Sequence, residues 1–203
     1  AAHPTDIDFH GDKLAIGNGA YHKIKIFDKN GTELNSIGSG SSSSASGEFN
    51  RPYGLSYAPN GDLHVADSEN HRIQVFDANA NYLRSYGVYG QSGVDPFGLH
   101  ITPENTFLVT DVSRHRVFEI DENGTFVRSI AVQGSGDGQV NNPRSVFLGP
   151  DNRIYVADTS RHRIQIFDRN GTFIRKFGVN GSGDGEFREP HAVLVSANNE
   201  VYV

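Results

Sequence analysis

The amino-acid sequence predicts an all-β fold, a β-propeller of four-stranded antiparallel blades. The first observation is a repeat: a proline begins a unit five times, at intervals of 48, 44, 47 and 47 residues. The second is that each complete unit has four short apolar or alternating runs, separated by Asn, Gly, Asp and Pro. The third is that apolar residues never recur at helical spacing over a sustained stretch. The five prolines are Pro4, Pro52, Pro96, Pro143 and Pro190.

The fourth unit illustrates the four predicted strands in order. An apolar run at 146–148 follows the opening proline, and a turn-rich segment separates it from the run at 154–156. The alternating run at 164–167 predicts the third strand, and residues 173–177 predict the fourth. An Asn-Gly pair separates these last two strands, and we expect it to form a type I′ hairpin turn with two residues at positive φ.

The five units define the predicted domain organisation. We expect residues 1–203 to form a single propeller domain, with units beginning near residues 4, 52, 96, 143 and 190. Four units contain all four strands, whereas the fifth contains two and ends at Val203. The expected parent is a six-bladed ring. An open blade edge exposes unpaired backbone groups, so self-association through this edge is a further expectation.

Composition excludes several classes of function. No run reaches the roughly 18 apolar residues of a membrane-spanning helix, so no membrane insertion is expected. The absence of cysteine excludes disulfides, thiolate zinc sites and cysteine nucleophiles. The formal net charge of −6 argues against nucleic-acid binding through the overall charge of the surface. The sequence predicts no cofactor, and it does not distinguish a cytoplasmic from an extracellular location.

One motif recurs between the second and third predicted strands. Residues 67–76 read DSENHRIQVF, and residues 158–167 read DTSRHRIQIF. The third unit keeps Asp111, His115 and Arg116, whereas the first has Asn18 and Lys23 at the aspartate and arginine positions. These segments resemble the motif that names NHL repeats, and the resemblance covers the whole chain. Similarity to the NHL domains of tripartite-motif proteins implies a six-bladed ring with a face that recognises RNA or protein.

Aspartate and arginine five positions apart flank the tight turn between the second and third strands. A charge-assisted hydrogen bond between them would pin this turn. Because a catalytic residue is normally needed once, repetition favours a structural role for the pairs and for the histidine between them. The blades would also hold the histidines too far apart to share a metal, so no metal site is predicted. The pairs are Asp67 with Arg72, Asp111 with Arg116, and Asp158 with Arg163.

The position directly after each opening proline varies between units, unlike the core. These positions should lie near the mouth of the central channel, on the face formed by the blade-to-blade loops. Variation on a repeated frame is typical of ligand specificity, and aromatic residues with arginine are enriched in recognition surfaces. The candidate binding face consists of Arg51, Tyr53, Phe97, Arg144, Arg188 and His191.

Four segments match the acceptor pattern for N-glycosylation. Their asparagines are Asn30, Asn123, Asn170 and Asn180. For the first three, turn chemistry alone is the favoured interpretation, because Asn-Gly is common in hairpins. Modification would instead indicate an extracellular sensor or a surface-protein ectodomain, a class in which NHL arrays also occur.

The sequence therefore predicts a non-enzymatic binding scaffold with a protein as the favoured partner and single-stranded RNA as the second. RNA binding would require a positively charged face with stacking aromatics. Here several acidic residues lie among the arginines in the sequence and reduce the positive charge of the face. The alternative is a lyase resembling the peptidyl-amidating enzyme, whose propeller holds a channel zinc on histidines that follow such prolines. Only His191 matches that position, and a catalytic zinc needs about three protein ligands.

Overall fold

Four antiparallel sheets follow one another along the chain, each built from one sequence unit. The computed structural model describes residues 4–87 and 94–203. The first sheet contains β1 (Pro4–His10), β2 (Lys13–Asn18), β3 (Lys23–Asp28) and β4 (Glu33–Ile37). The second contains β5 (Pro52–Tyr57), β6 (Leu63–Asp67), β7 (Arg72–Phe76) and β8 (Tyr82–Tyr86).

The third and fourth sheets repeat this meander. The third contains β9 (Pro96–Ile101), β10 (Phe107–Asp111), β11 (Arg116–Ile120) and β12 (Phe126–Gln133), and β13 (Gln139–Val140) pairs with β12 in parallel. The fourth contains β14 (Pro143–Leu148), β15 (Ile154–Asp158), β16 (Arg163–Phe167) and β17 (Phe173–Phe177). The fifth unit contributes the pair β18 (Leu194–Val195) and β19 (Val201–Tyr202).

These sheets confirm the predicted fold of four complete four-stranded blades followed by half of a fifth. The strand β13 was not predicted; it lies in the loop between the third and fourth blades. The helical segments of the described residues are three-residue 3-10 turns, at Gly19–Tyr21, Ser68–Asn70 and Thr159–Arg161. Within the described part of the chain, none of these segments has the length and hydropathy needed to cross a membrane.

Apolar contacts between successive blades form the core. The inner strand of each later blade presents residues three and five positions after its proline to the blade before it. Thus Leu99 and Ile101 of β9 pack with Ile73 and Val75 of β7. Three further clusters join the other successive pairs in the same way. Removal of this apolar surface from water holds the blades side by side.

The hairpin turns differ from the predicted type I′ geometry. In the turn at 168–172, Gly171 has a φ of 90°, and Asn170 is not among the residues at positive φ. The amide of Gly171 donates to the carbonyl of Asp168, and the carboxylate of Asp168 accepts from the amides of Asn170 and Thr172. This is a type I turn followed by a left-handed glycine. The type I′ prediction is wrong because the preceding aspartate and the following threonine belong to the same longer turn.

A buried carboxylate links the third blade to the fourth. Glu119 is 1% exposed and accepts hydrogen bonds from Arg128 Nε at 2.6 Å and from Arg169 Nη2 at 2.6 Å. The hydroxyl of Thr106 also donates to it. Burial disfavours the charged form of Glu119, but the hydrogen bonds from Arg169, Thr106 and Arg128 outweigh it and lower its pKa to about 2.

Candidate functional site

The repeated aspartate and arginine connect the turn between the second and third strands to the loop that enters the blade. In the fourth blade, Asp158 accepts from Arg163 Nε at 2.7 Å and from the amide of Asn141 at 2.7 Å. Arg163 Nη2 donates to the carbonyls of Gly136 and Gln139, each at 2.9 Å. Burial raises the pKa of Asp158, and the bonds from Asn141 and Arg163 oppose that effect without cancelling it.

The same pairing occurs in the second and third blades. Arg72 Nε donates to Asp67 Oδ2 at 2.7 Å, and Arg116 Nε donates to Asp111 Oδ2 at 3.0 Å. The three aspartates are fully buried. In the second and fourth blades, the arginine also donates to carbonyls of the loop that enters the blade, so the motif has a structural role there.

The repeated histidines contact the next unit rather than one another, three of them through its backbone and His71 through the Asp95 carboxylate. Each adopts a left-handed conformation with φ between 50° and 55°. Three of them accept a backbone hydrogen bond just before the next proline: His22 from Arg51, His115 from Asn142, and His162 from Glu189. Within residues 4–87 and 94–203, no group of three or more His, Cys, Asp or Glu side chains could hold a metal ion.

Four of the candidate residues form a continuous contact series at the channel mouth, one from each of four successive units. The rings of Tyr53 and Phe97 stack with their centroids 4.1 Å apart. The guanidinium carbon of Arg144 lies 5.7 Å from the centre of the Phe97 ring. Arg144 Nη1 then contacts His191 Nε2 at 2.8 Å. We call Tyr53, Phe97, Arg144 and His191 the mouth ladder.

Two neighbours contact the Arg144 guanidinium of the mouth ladder: the His191 imidazole and the Phe97 ring. Burial and the neighbouring Arg144 lower the pKa of His191, so the imidazole is neutral near pH 7 and accepts the proton of Arg144 Nη1. The face of Phe97 supports the same guanidinium through a cation–π contact. A cation fixed on two sides loses little freedom when it binds a ligand.

The other predicted face residues lie outside the mouth ladder. Arg51 is exposed and forms an ion pair with Glu69, with 3.6 Å between Nη1 and Oε1. Arg188 is exposed on the loop before β18. In the first blade, the residue after the proline is Thr5, whose hydroxyl donates to the carbonyl of Pro52 at 3.0 Å. The structure thus brings four of the six predicted residues together and leaves the two exposed arginines on the rim.

A cavity of about 650 Å³ lies along the channel, bounded by the inner strands of the blades. The mouth ladder lines it, together with Asp6 and Asp8 of β1. Sequence reasoning missed these two aspartates. They occupy the positions two and four residues after the proline, where β5 has Gly54 and Ser56, so comparing the units position by position would have revealed the added charge.

The four potential glycosylation sites lie on the surface. Asn30, Asn123, Asn170 and Asn180 are all exposed. The first three lie in hairpin turns of the type described above, with the turn aspartate two residues before the asparagine. Glycosylation of these residues stays a prediction.

Comparison with known proteins identifies the repeat. A family model described as NHL repeat matches residues 49–76, and one described as 6-bladed beta-propeller matches residues 144–203. The chain is 33% identical over 94 residues to NHL repeat-containing protein 2 of Gallus gallus and 35% identical over 97 residues to that of Bos taurus. These matches cover 44% and 43% of this chain but 13% of each relative.

Solved propellers resemble the chain in fold. A catalytically inactive virginiamycin B lyase from Staphylococcus aureus, solved with quinupristin, aligns with a TM-score of 0.73 and 18% identity, over 99% of this chain and 62% of that one. An auxiliary nutrient binding protein from Bacteroides thetaiotaomicron aligns with a TM-score of 0.70 and 16% identity, over 96% and 54%. The chain thus folds into propeller blades, with a match to the NHL repeat at residues 49–76 and to a 6-bladed beta-propeller family at residues 144–203.

Proposed function

We propose that this propeller is a non-enzymatic binding scaffold whose mouth ladder contacts a protein partner. The observation that supports the proposal is the ladder itself. Its residues occupy equivalent positions after four successive prolines, yet they differ in every unit, whereas the surrounding Asp, His and Arg residues repeat. A rigid frame that presents different side chains at equivalent positions is the usual arrangement of a repeat-protein binding surface.

The chemistry of the ladder suits protein recognition. Tyrosine and arginine are among the residues that contribute most to binding at protein interfaces, and they do so from preorganised, well-packed positions. In the ladder, Phe97 contacts both the Tyr53 ring and the Arg144 guanidinium, so all three side chains are ordered before a partner arrives. Binding then costs less side-chain entropy than it would on a mobile surface.

Charge favours a protein over single-stranded RNA. RNA binding without sequence preference needs a positively charged groove in addition to stacking aromatics. Around the mouth, the exposed arginines Arg51 and Arg188 are interspersed with acidic residues, and Arg51 is paired with Glu69. The nearby exposed acidic residues include Asp137, Asp184, Glu186 and Glu189.

A peptide-display selection on the immobilised chain tests the proposal. Peptides would be selected on the wild-type protein without counter-selection, and their affinities would then be measured on Phe97→Ala and Arg144→Ala single variants. For the selected peptides, each single substitution should weaken binding by about 2 kcal/mol or more, about 30-fold in Kd, because both residues lie at the centre of the ladder. The matched controls are Leu83→Ala and Arg175→Ala on exposed outer strands.

The outcomes separate the alternatives. Unchanged affinity in the ladder variants, with their thermal unfolding intact, would place the binding surface elsewhere. Gel-shift titrations with short single-stranded RNAs over a salt series provide the second arm, because phosphate contacts weaken steeply with salt. A salt-sensitive gel shift of these RNAs at micromolar protein concentration would contradict the proposal that this face binds protein rather than RNA.

The comparisons do not extend the proposal to catalysis. The curated relatives are named for their repeats, and the likeness to virginiamycin B lyase concerns the fold alone at 18% identity. A lyase of the peptidyl-amidating kind would need further zinc ligands beside His191. Stoichiometric zinc in the purified protein would contradict the proposed non-enzymatic function.

A further inference from the structure

Acidic and basic side chains from separate strands line the channel cavity. Asp6 and Asp8 lie on β1 of the first blade, and Arg144 lies on β14 of the fourth. Within the described residues, none of the three takes part in an ion pair. Because the second and third blades separate their strands, the acidic and basic groups are on different walls of the same cavity.

Backbone amides fix the two carboxylates on the acidic wall. Asp6 accepts from the amides of Leu55 at 2.9 Å and Ile7 at 2.9 Å. Asp8 accepts from the amides of Tyr57 at 2.7 Å and Phe9 at 2.9 Å. A carboxylate offers about four acceptor sites, so each retains capacity for a further donor.

The acidic wall lacks a full counter-charge. Burial raises the pKa of Asp6 to about 7, against the effect of its backbone hydrogen bonds, and burial also raises the pKa of Asp8. The basic side chain among the groups that lower the pKa of Asp8 is His10, at the end of the same strand, and its effect is the smallest of those acting on Asp8. Half-buried carboxylates of this kind gain favourable energy when a cation binds beside them.

The basic wall has unused donors. Arg144 Nη1 contacts His191, but Nε is buried without a hydrogen-bond acceptor among residues 4–87 and 94–203. A buried donor without an acceptor costs folding free energy. Because Nε is enclosed by protein atoms, a ligand carboxylate would bind the terminal nitrogens, of which Nη2 makes no hydrogen bond within the described residues.

We propose that the channel binds a small zwitterion, an α-amino acid or a short peptide, with its carboxylate on Arg144 and its ammonium group on Asp6 and Asp8. Between them the cavity is lined by β5 and β9, with Leu55 and Leu99 beside Ser56 and His100. A cavity of about 650 Å³ falls in the size range of small-molecule sites. This inference goes beyond the proposed function: it shares Arg144 with the mouth ladder, but its ammonium site on Asp6 and Asp8 lies in the channel and does not depend on a protein partner.

Calorimetric titration of the full chain with blocked and unblocked ligands tests the inference. The probes are L-phenylalanine, the dipeptide Ala-Phe and the tripeptide Ala-Ala-Phe, each also as its N-acetyl and its C-terminal amide form. We expect at least one free probe to bind. Either block should weaken that binding at least about tenfold, since each removes a charge-assisted contact. Which of the three probes has the lowest Kd then shows whether the channel prefers a free amino acid or a peptide.

Substitutions separate recognition from a structural effect. Asp6→Asn and Asp8→Asn should abolish the preference for a free amine while keeping the preference for a free carboxylate. Arg144→Gln should do the reverse, and the exposed control Arg175→Gln should change neither. General loss of folding would weaken all probes equally and would not produce this crossed pattern.

Two results would overturn the inference. One is the absence of binding for all three free probes at millimolar concentration. The other is equal affinity for free and blocked probes, which would show that neither terminal charge is recognised.

Discussion

At the scale of single residues, the aspartate of the repeated motif fixes the position of a loop, and burial of its carboxylate costs desolvation free energy. Asp158 is fully buried and bonded to Arg163, yet burial keeps its pKa raised. Desolvation of a buried ion pair often offsets its attraction, so the pair itself adds little stability, but loss of one partner leaves an unpaired buried charge. The motif therefore specifies where the blade-to-blade loop lies above the channel.

We predict that Asp158→Ala destabilises the fold by about 3–5 kcal/mol, because Arg163 then keeps a buried charge without its counter-ion. The first blade supplies the control. There Asn18 accepts a single side-chain hydrogen bond among the described residues, from the amide of Tyr21 at 3.3 Å. Asn18→Ala should cost about 1 kcal/mol. Urea denaturation measures both, and similar losses in the two blades would contradict this account.

A second prediction concerns acid stability. The pKa of Glu119 is about 2 in the folded protein, below its ordinary value, so its contribution to stability is present at neutral pH. That contribution is lost as the pH falls from about 4.5 towards 2, because the unfolded chain takes up the proton first. Glu119→Gln should therefore flatten the decline of the urea midpoint over this range. An equally steep decline in the variant would assign the acid sensitivity to other carboxylates.

At the scale of elements, the turns between strands combine one backbone geometry with different surroundings. Gly31 and Gly124 occupy equivalent turns with φ values of 83° and 84°. A Cβ atom on Gly31 would meet nothing within 4 Å, whereas one on Gly124 would collide with the carbonyl of Gly87 and the ring of Tyr86. The turn of the third blade is thus packed against the second blade, and the turn of the first blade is free of such a contact.

This pair predicts two different costs for the same substitution. Gly31→Ala should destabilise by about 1–2 kcal/mol, the strain of placing a side chain in the left-handed region. Gly124→Ala should cost several kcal/mol, because the close approach to Gly87 and Tyr86 adds to that strain. Thermal unfolding of both variants checks the difference, and equal shifts in Tm would refute the packing contribution.

Local patterns predicted much of these elements. The prolines, the alternating runs and the turn residues predicted the strands, and the unrepeated positions predicted the four ladder residues. Turn type escaped prediction because Asp168 and Thr172, outside the Asn-Gly pair, determine it. The ion pair between Glu119 and Arg169 escaped it because 50 residues separate the partners.

At the scale of the whole molecule, the outermost blade faces are apolar and exposed. Ile7 and Phe9 of β1 are 59% and 72% exposed, whereas the equivalent Leu55 of β5 is 2% exposed against the first blade. At the opposite end, Leu194 and Tyr202 are also exposed. Both faces have the composition of a blade-to-blade contact, so we propose that the 203-residue chain on its own, without the further blades of a six-bladed ring, associates with other copies through them.

Light scattering after size exclusion, over a range of protein concentrations, measures this association. Phe9→Glu should lower the average mass at high concentration, because a charge would be buried in the contact. The control is Leu83→Glu, which alters an exposed apolar residue on the outer strand β8. A monomer at every concentration would contradict the proposal.

The central claim is that ligands bind at the unrepeated mouth ladder, and NMR mapping on the isotopically labelled chain tests it most directly. A peptide from the display selection would be titrated while backbone amide shifts are recorded. The account predicts the largest changes at Tyr53, Phe97, Arg144 and His191. Changes concentrated in the hairpin turns around Gly31 and Gly171, with the ladder unperturbed, would contradict it.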